Sequence, residues 1–299
     1  MTAEFRLDPE PWLGSPPAPL AHALSHRFGL FDRKYAAIPN WPVIALPRAM
    51  ADAYRIPGNR DRALADGCAL FFLAADIIDD AQDGDLPADI PWPDAVNAGQ
   101  ALLFGAIGAF AFACPGAPVA REVHEAGRSL VAGQAMDLAL TWDAAPTEDQ
   151  VMAAVRGKSG ASVALFARLG AWAAGRSPAE VAAWGIVGEC LGIALQLRSD
   201  VQDLAQADSS DWRQKRASLP VTFALVRSGG AMAAAIAAGD RAAAVEAMRS
   251  CGAFTLVEFK IDALVLEAQE RLDGLDLPDP DRAVLKRLVE ASTATPVAL

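Results

Sequence analysis

Apolar positions along the chain recur three and four residues apart, as in Leu64, Cys68, Phe71, Phe72 and Ala75, and alternating β-branched runs are absent. That period belongs to helices, and abundant alanine favours them further, so the pattern predicts an all-α protein. Proline and glycine punctuate it at Pro9–Pro19, Pro39–Pro47, Pro57–Gly58, Gly84–Pro93, Pro115–Pro118, Pro146, Pro178 and Pro278–Pro280. Between these breaks lie segments of roughly 20 residues or more, long enough for helices that cross a domain. Several are apolar around much of their circumference, as expected of central helices shielded by others. No repeat or linker interrupts the chain. The reading is a proline-rich lead-in over residues 1–20 and one large helical domain over 21–299. The most apolar stretch, Ala101–Cys114, is about 14 residues long and stops at Pro115, which predicts a core helix and no integral membrane segment.

Composition narrows the function. The chain is 53% apolar and 21% charged, with 26 Lys plus Arg against 37 Asp plus Glu, a net charge of −11. A core of that size is ample for a folded domain. Such an acidic balance argues against a nucleic-acid partner and against docking on anionic lipid, both of which need a basic footprint. An anionic small molecule would need local neutralisation, for which a metal ion is the simplest agent. Cys68, Cys114, Cys190 and Cys251 are widely spaced with no CxxC pair, so neither a zinc cluster nor a disulfide framework is expected. MTAEFRLDPE lacks a basic stretch followed by an apolar core, so the expected location is cytoplasmic.

Two carboxylate clusters carry the candidate chemistry. In Phe71–Asp85, FFLAADIIDDAQDGD, the acids Asp76, Asp79, Asp80 and Asp83 fall at i, i+3, i+4 and i+7, one face of a helix. Neighbouring carboxylates at ~5–6 Å repel by about 3 kcal/mol per pair at an effective dielectric near 20. A hard divalent cation among the oxygens relieves this. The blander reading is a helix end running into an acidic loop, but the preceding FFLAA is core-like. In Gly192–Pro220, Gln196, Asp200 and Asp203 share a second face, followed by Asp211 and Lys215. Between the clusters lie GQAMDL (Gly133–Leu138) and, from Gly157, GKSGASVALF, with Lys158 at the head of an apolar helix. Taken alone, Lys158 reads as a snorkelling surface lysine.

Together these segments resemble the trans-prenyl diphosphate synthases, or polyprenyl synthetases, within the class I terpene synthase fold, from about Pro39 to Leu225. Asp79, Asp80 and Asp83 look like the first aspartate-rich motif, and Gln134 with Asp137 like GQxxD. Lys158-Ser159 looks like the Lys-Thr pair, and Gln196, Ser199, Asp200 and Asp203 like the second aspartate-rich motif. Asp211, Lys215 and Leu219-Pro220 match its trailing elements. The resemblance implies mostly antiparallel helices around a central cavity, a homodimer, and three Mg²⁺ ions on the two motifs. Metal ligands would be Asp79, Asp80, Asp83, Ser199, Asp200 and Asp203. Lys158, Lys215, Gln196 and Asp211 would face the diphosphate. Ala74, Ala75 and Phe72, with Gln134 and Asp137, are assigned to the chain pocket; the two alanines leave it deep enough for C15 to C20 substrates.

The departures are informative. Cations that bind isopentenyl diphosphate in chain-elongating members should align near Ala37-Ile38-Pro39 and after the first motif, and both sets are missing; the family's histidine aligns with Phe72. Ser199 replaces an aspartate, and Ala207 a common lysine. The reading favoured is therefore a terpene synthase that ionises an allylic isoprenyl diphosphate and lets the cation cyclise or deprotonate. The alternatives are prenyl transfer, by chain elongation or to another acceptor such as a peptide, and a non-catalytic partner subunit. His22 and His26, four apart, lack a zinc motif and read as exposed helix residues. Trp142, Trp172 and Trp184 read as core or interface more readily than as cavity lining.

Overall fold

The computed structural model describes residues 5–35, 41–205 and 210–293; Ala37-Ile38-Pro39 and Ala207 lie outside them. The chain begins with α1 (Glu10–Leu13), α2 (Ala18–Leu30), α3 (Pro42–Tyr54), α4 (Gly58–Asp83) and α5 (Trp92–Ala113). It continues through α6 (Val119–Ala139), α7 (Glu148–Val155), α8 (Ala161–Ala173), α9 (Pro178–Ala205) and α10 (Ser210–Arg213). It ends with α11 (Leu219–Arg227), α12 (Ala231–Ala238), α13 (Arg241–Ser250), α14 (Ala253–Asp273) and α15 (Asp279–Thr293). Among the described residues there is no strand, so the all-α expectation holds.

The boundaries follow local chemistry. Proline in the first turn of α2, α3, α5 and α11 presets φ where no helical N–H is needed. Thr147 and Gln150 form a reciprocal capping box on α7. Gly84, at φ +73°, ends α4 by donating its N–H to the Asp80 carbonyl, a left-handed cap that glycine adopts without strain.

The chain divides into two compact units. The first takes Met1–His124, Leu165–Gly185 and Leu272–Leu288. Its centre is α4 against α5, where a Cβ on Gly67 would stand 2.7 Å from the Phe110 ring and one on Gly99 2.8 Å from Ile78. Phe71 meets Phe166 edge-on at 5.7 Å beside them. Residues of the proline-rich lead-in touch α4 and α5: Trp12 Nε1 donates to Asp66, and the side chain of Leu13 lies against Gly105. Arg60 joins two helix ends, its Nε donating to the Ala113 carbonyl at 2.7 Å and its Nη2 to the Ala173 carbonyl at 2.7 Å. These are orphan acceptors at the C-termini of α5 and α8. Arg60→Ala is expected to lower stability by about 2 kcal/mol, read from urea denaturation midpoints at unchanged slope.

The second unit takes Glu125–Ala164, Ile186–Arg271 and Val289–Leu299. One apolar cluster joins Val151 and Val155 of α7, Ile193, Leu197 and Val201 of α9, Leu219 of α11 and Val257 of α14. Another gathers Trp142 with Leu204, Val221 and Met248. Between α7 and α8, Arg156–Gly160 forms a single π turn, in which the Ala161 N–H reaches back to the Arg156 carbonyl.

Two expectations change. The apolar run around Ala101 is part of a 22-residue helix that starts at Trp92, because Ala95, Ala98 and Gly99 continue it with small side chains. By length and composition, α5 and Pro178–Leu204 of α9 are long and apolar enough to cross a membrane. His22 is exposed as expected but has a carboxylate beside it, its Nε2 lying 3.1 Å from Asp89. Trp184 is fully buried and Trp142 nearly so, and Trp172 donates to the buried Glu122, which places all three in packing roles.

Candidate functional site

In the first unit the acids lie on the last two turns of α4, just before the Gly84 cap. A helix C-terminus carries partial negative charge, so this end disfavours carboxylates beyond their mutual repulsion. Burial, followed by the neighbouring charge of Asp76, pushes the Asp80 carboxyl above its usual range, with Arg27 opposing and Asp79 adding to the rise. Arg27 comes from α2. Its Nη2 donates to Asp80 Oδ2 at 2.8 Å and its Nη1 to Asp76 Oδ2. It is a fully buried arginine, and its approach to the acids was absent from the sequence reading. Nothing in the spacing of residues 27 and 80 signals the contact, which exists only once packing brings the Arg27 side chain of α2 within reach of α4.

The pocket candidates on the same helix divide. Ala74 is buried, while Ala75 and Phe72 are half-buried. Trp41 packs edge-on to Phe72 at 4.7 Å, and Phe31 to Trp41 at 5.8 Å, so an aromatic row lines the turn of α4 preceding the acids.

In the second unit close backbone approach organises the site. A Cβ on Gly133 would lie 2.3 Å from the Lys158 nitrogen, and one on Gly192 2.3 Å from the Ser159 carbonyl oxygen. Only glycine lets α6 and α9 come this near the π turn. Ser159 Oγ donates to Gln196 Oε1, and Gln196 Nε2 donates to Asp200 Oδ1 at 2.8 Å. Lys158 Nζ donates to Asp137 Oδ2 at 3.1 Å, so Asp137 is an ion-pair partner of the lysine. Gln134 is buried beside it on α6. Ser199 Oγ donates to Asp203 Oδ2 at 3.4 Å.

Asp200 is buried, and desolvation pushes its carboxyl well up; the Gln196 bond opposes this, while Asp211, Asp137 and Asp203 add to it. The sign for stability follows. The folded pKa exceeds the unfolded one, so this group disfavours folding increasingly as pH rises above the ordinary carboxylate range near 4. Asp200→Asn is therefore expected to raise the melting temperature of the metal-free protein at pH 8, with the gain vanishing toward pH 4, read by calorimetry in EDTA. A lower melting temperature at pH 8 would contradict it.

Lys215 pairs with a carboxylate on the loop after α6. It is half exposed, has left-handed backbone at φ +60°, and donates to Asp143 Oδ2 at 2.7 Å. Its carbonyl accepts the Trp142 N–H, and Thr141 and Arg216 form an antiparallel bridge. The stretch from Asp211 is thus anchored on the loop after α6, with Trp212 4.9 Å from Trp142.

The donor set of both clusters is carboxylate and hydroxyl oxygen, without thiolate or imidazole, which fits a hard divalent cation. The raised Asp80 and Asp200 carboxyls show what such a cation would relieve. Among the described residues no three of His, Cys, Asp or Glu converge into a ready cage.

Comparison with known proteins agrees with this chemistry. A family model described as polyprenyl synthetase matches residues 69–252. A short chain isoprenyl diphosphate synthase of Methanothermobacter thermautotrophicus is 28% identical over 167 residues, covering 51% of each chain. A (2E,6E)-farnesyl diphosphate synthase of Mycobacterium bovis is 30% identical over 150 residues, 44% of this chain and 42% of that one. The chain thus spans about half the length, or less, of the curated relatives it matches. Among solved structures, a polyprenyl synthetase from Streptomyces coelicolor superposes with TM-score 0.80 at 20% identity, covering 95% of both chains. A geranylgeranyl pyrophosphate synthase from Corynebacterium glutamicum, complexed with isoprenyl diphosphate and magnesium, gives 0.77 at 24% identity, covering 95% of this chain and 93% of that one. At these identities the superpositions establish the fold.

Proposed function

This chain belongs to the polyprenyl synthetase family, and from that premise we propose that it ionises an allylic isoprenyl diphosphate with the help of Mg²⁺ and transfers the prenyl group to an acceptor. The observation that carries the reading is the pair of oxygen-donor clusters, one around the half-buried Asp80 and one around the buried Asp200, each a carboxylate whose ionised form is disfavoured without a cation. Asp79, Asp80 and Asp83 on α4 would hold metal in one unit, and Asp200 and Asp203 with Ser199 on α9 in the other. Bound Mg²⁺ supplies charge that stabilises the departing diphosphate. Lys158 adds a fixed positive charge for phosphate oxygens, held on the π turn by Asp137. Gln196, positioned by Ser159, keeps Asp200 oriented. As the allylic C–O bond breaks, its electron pair leaves with the diphosphate; the acceptor's double bond then gives its electrons to the allylic cation, and the new cation on the acceptor loses a proton to the released diphosphate, which restores a double bond. A homodimer belongs to the same reading, supported by Trp92, Phe104 and Phe112 standing exposed on α5.

The acceptor divides the readings. The curated relatives are named as isoprenyl and farnesyl diphosphate synthases, which supports condensation with isopentenyl diphosphate over the cyclase favoured from sequence. A second reading, cyclisation or deprotonation of the cation, is favoured by Trp41 packed edge-on against Phe72, an apolar pair at a position where the family carries a cationic-site histidine. Incubating the protein with C10, C15 and C20 allylic diphosphates and Mg²⁺, with and without labelled isopentenyl diphosphate, separates them by mass spectrometry. Label in a longer diphosphate is the expected result. Hydrocarbon or alcohol without label would replace it with the second reading. No released diphosphate from any substrate would refute both and leave a non-catalytic subunit.

A further inference from the structure

Arg27 is buried to 0% exposure, and arginine is rarely buried that deeply without a specific partner. It spends two nitrogens on two carboxylates one helical turn apart, Asp76 and Asp80, while its Nε is buried without a hydrogen-bond partner among the described residues. This guanidinium therefore brings a permanent positive charge into the acidic end of α4, where carboxylate repulsion and the helix terminus both call for one. A divalent ion at Asp80 would meet that charge at close range. Attraction between the ion and the carboxylates is thus partly offset by repulsion from a cation that cannot deprotonate.

We propose that Arg27 is a positioning residue that acts as a built-in counter-cation for the first aspartate cluster, presetting Asp80 and keeping metal binding weak in the substrate-free protein. Metal then binds well only when diphosphate oxygens join the site, so ion and substrate arrive together. The inference rests on the reading of α4 as a metal-binding helix.

The test is Mn²⁺ binding by substrate-free protein, followed by electron paramagnetic resonance. Arg27→Gln is expected to tighten Mn²⁺ about tenfold, within the range of ordinary site-to-site coupling. Arg27→Lys keeps the charge and is expected to stay within about threefold of wild type. A purely structural arginine would lower the melting temperature in both variants without tightening Mn²⁺, and that result overturns the proposal. Because Arg27→Gln strands two half-buried carboxylates and is at risk of misfolding, the double variant Arg27→Gln/Asp76→Asn is compared with Asp76→Asn alone; tightening again supports the proposal and its absence overturns it. Two further outcomes separate this inference from its premise. If wild type binds Mn²⁺ and loses it with Asp79→Asn, but the arginine variants bind no tighter, only the role of Arg27 falls. If no form binds Mn²⁺ at millimolar concentration, both fall.

Discussion

Replacing Asp79 by asparagine is expected to slow Mg²⁺-dependent diphosphate release about a thousandfold, a loss typical of removing one interaction that stabilises developing charge. Asparagine keeps the shape and one acceptor oxygen, and removes only the negative charge that a hard cation prefers. Folding should not suffer. Asp79 is one of the groups that raise the Asp80 carboxyl, so neutralising it relieves repulsion at the end of α4. The decisive measurements are initial rates of diphosphate release at saturating Mg²⁺, with circular dichroism as control for fold. A variant within a few-fold of wild type would remove α4 from the chemistry.

The second large effect is on architecture. Gly133→Ala is expected to destabilise the protein by about 3 kcal/mol, the upper end of the usual cost of overpacking. The added Cβ would meet three backbone atoms of Gly157 and Lys158 at 2.3 to 2.8 Å, and backbone has no rotamer by which to escape. Relief requires α6 and the π turn to separate, which moves Lys158 away from Asp137. The loss should therefore appear both in the denaturation midpoint and as weaker diphosphate-substrate binding. Gly116→Ala serves as control for loss of a glycine by itself, since its left-handed φ of +81° strains alanine while, its chain neighbours aside, no atom of the described residues would stand within 4 Å of the added Cβ.

The helical class was legible because apolar period is a local property, and α4 carries its four acids on one face as the spacing required. Asp200, Gln196 and Ser159 were legible as types, but the chain of hydrogen bonds joining them depends on glycines 188 and 192 letting α9 approach, and close approach leaves no periodic trace. Arg27 was invisible for the opposite reason. An isolated arginine on an amphipathic helix looks like any surface cation until tertiary packing brings it to Asp76 and Asp80. The length of α5 was underread because the buried positions of its first half are Ala95, Ala98 and Gly99, which carry no strong apolar signal. Lys215 was legible from motif order, but its left-handed backbone and its bond to Asp143 depend on the loop after α6 and leave no sequence signal.

The π turn at Arg156–Gly160 has a consequence for how this sequence can vary. A π turn holds one residue more than the α-helix around it, and each residue rotates a helix by about 100°. Deleting one residue there would restore regular pitch, preserve a continuous rod from α7 into α8, and swing Lys158 by that angle relative to Val151 and Val155. A one-residue gap at this point in a relative would therefore record a rephasing of the lysine against a fixed core, with the helix itself intact.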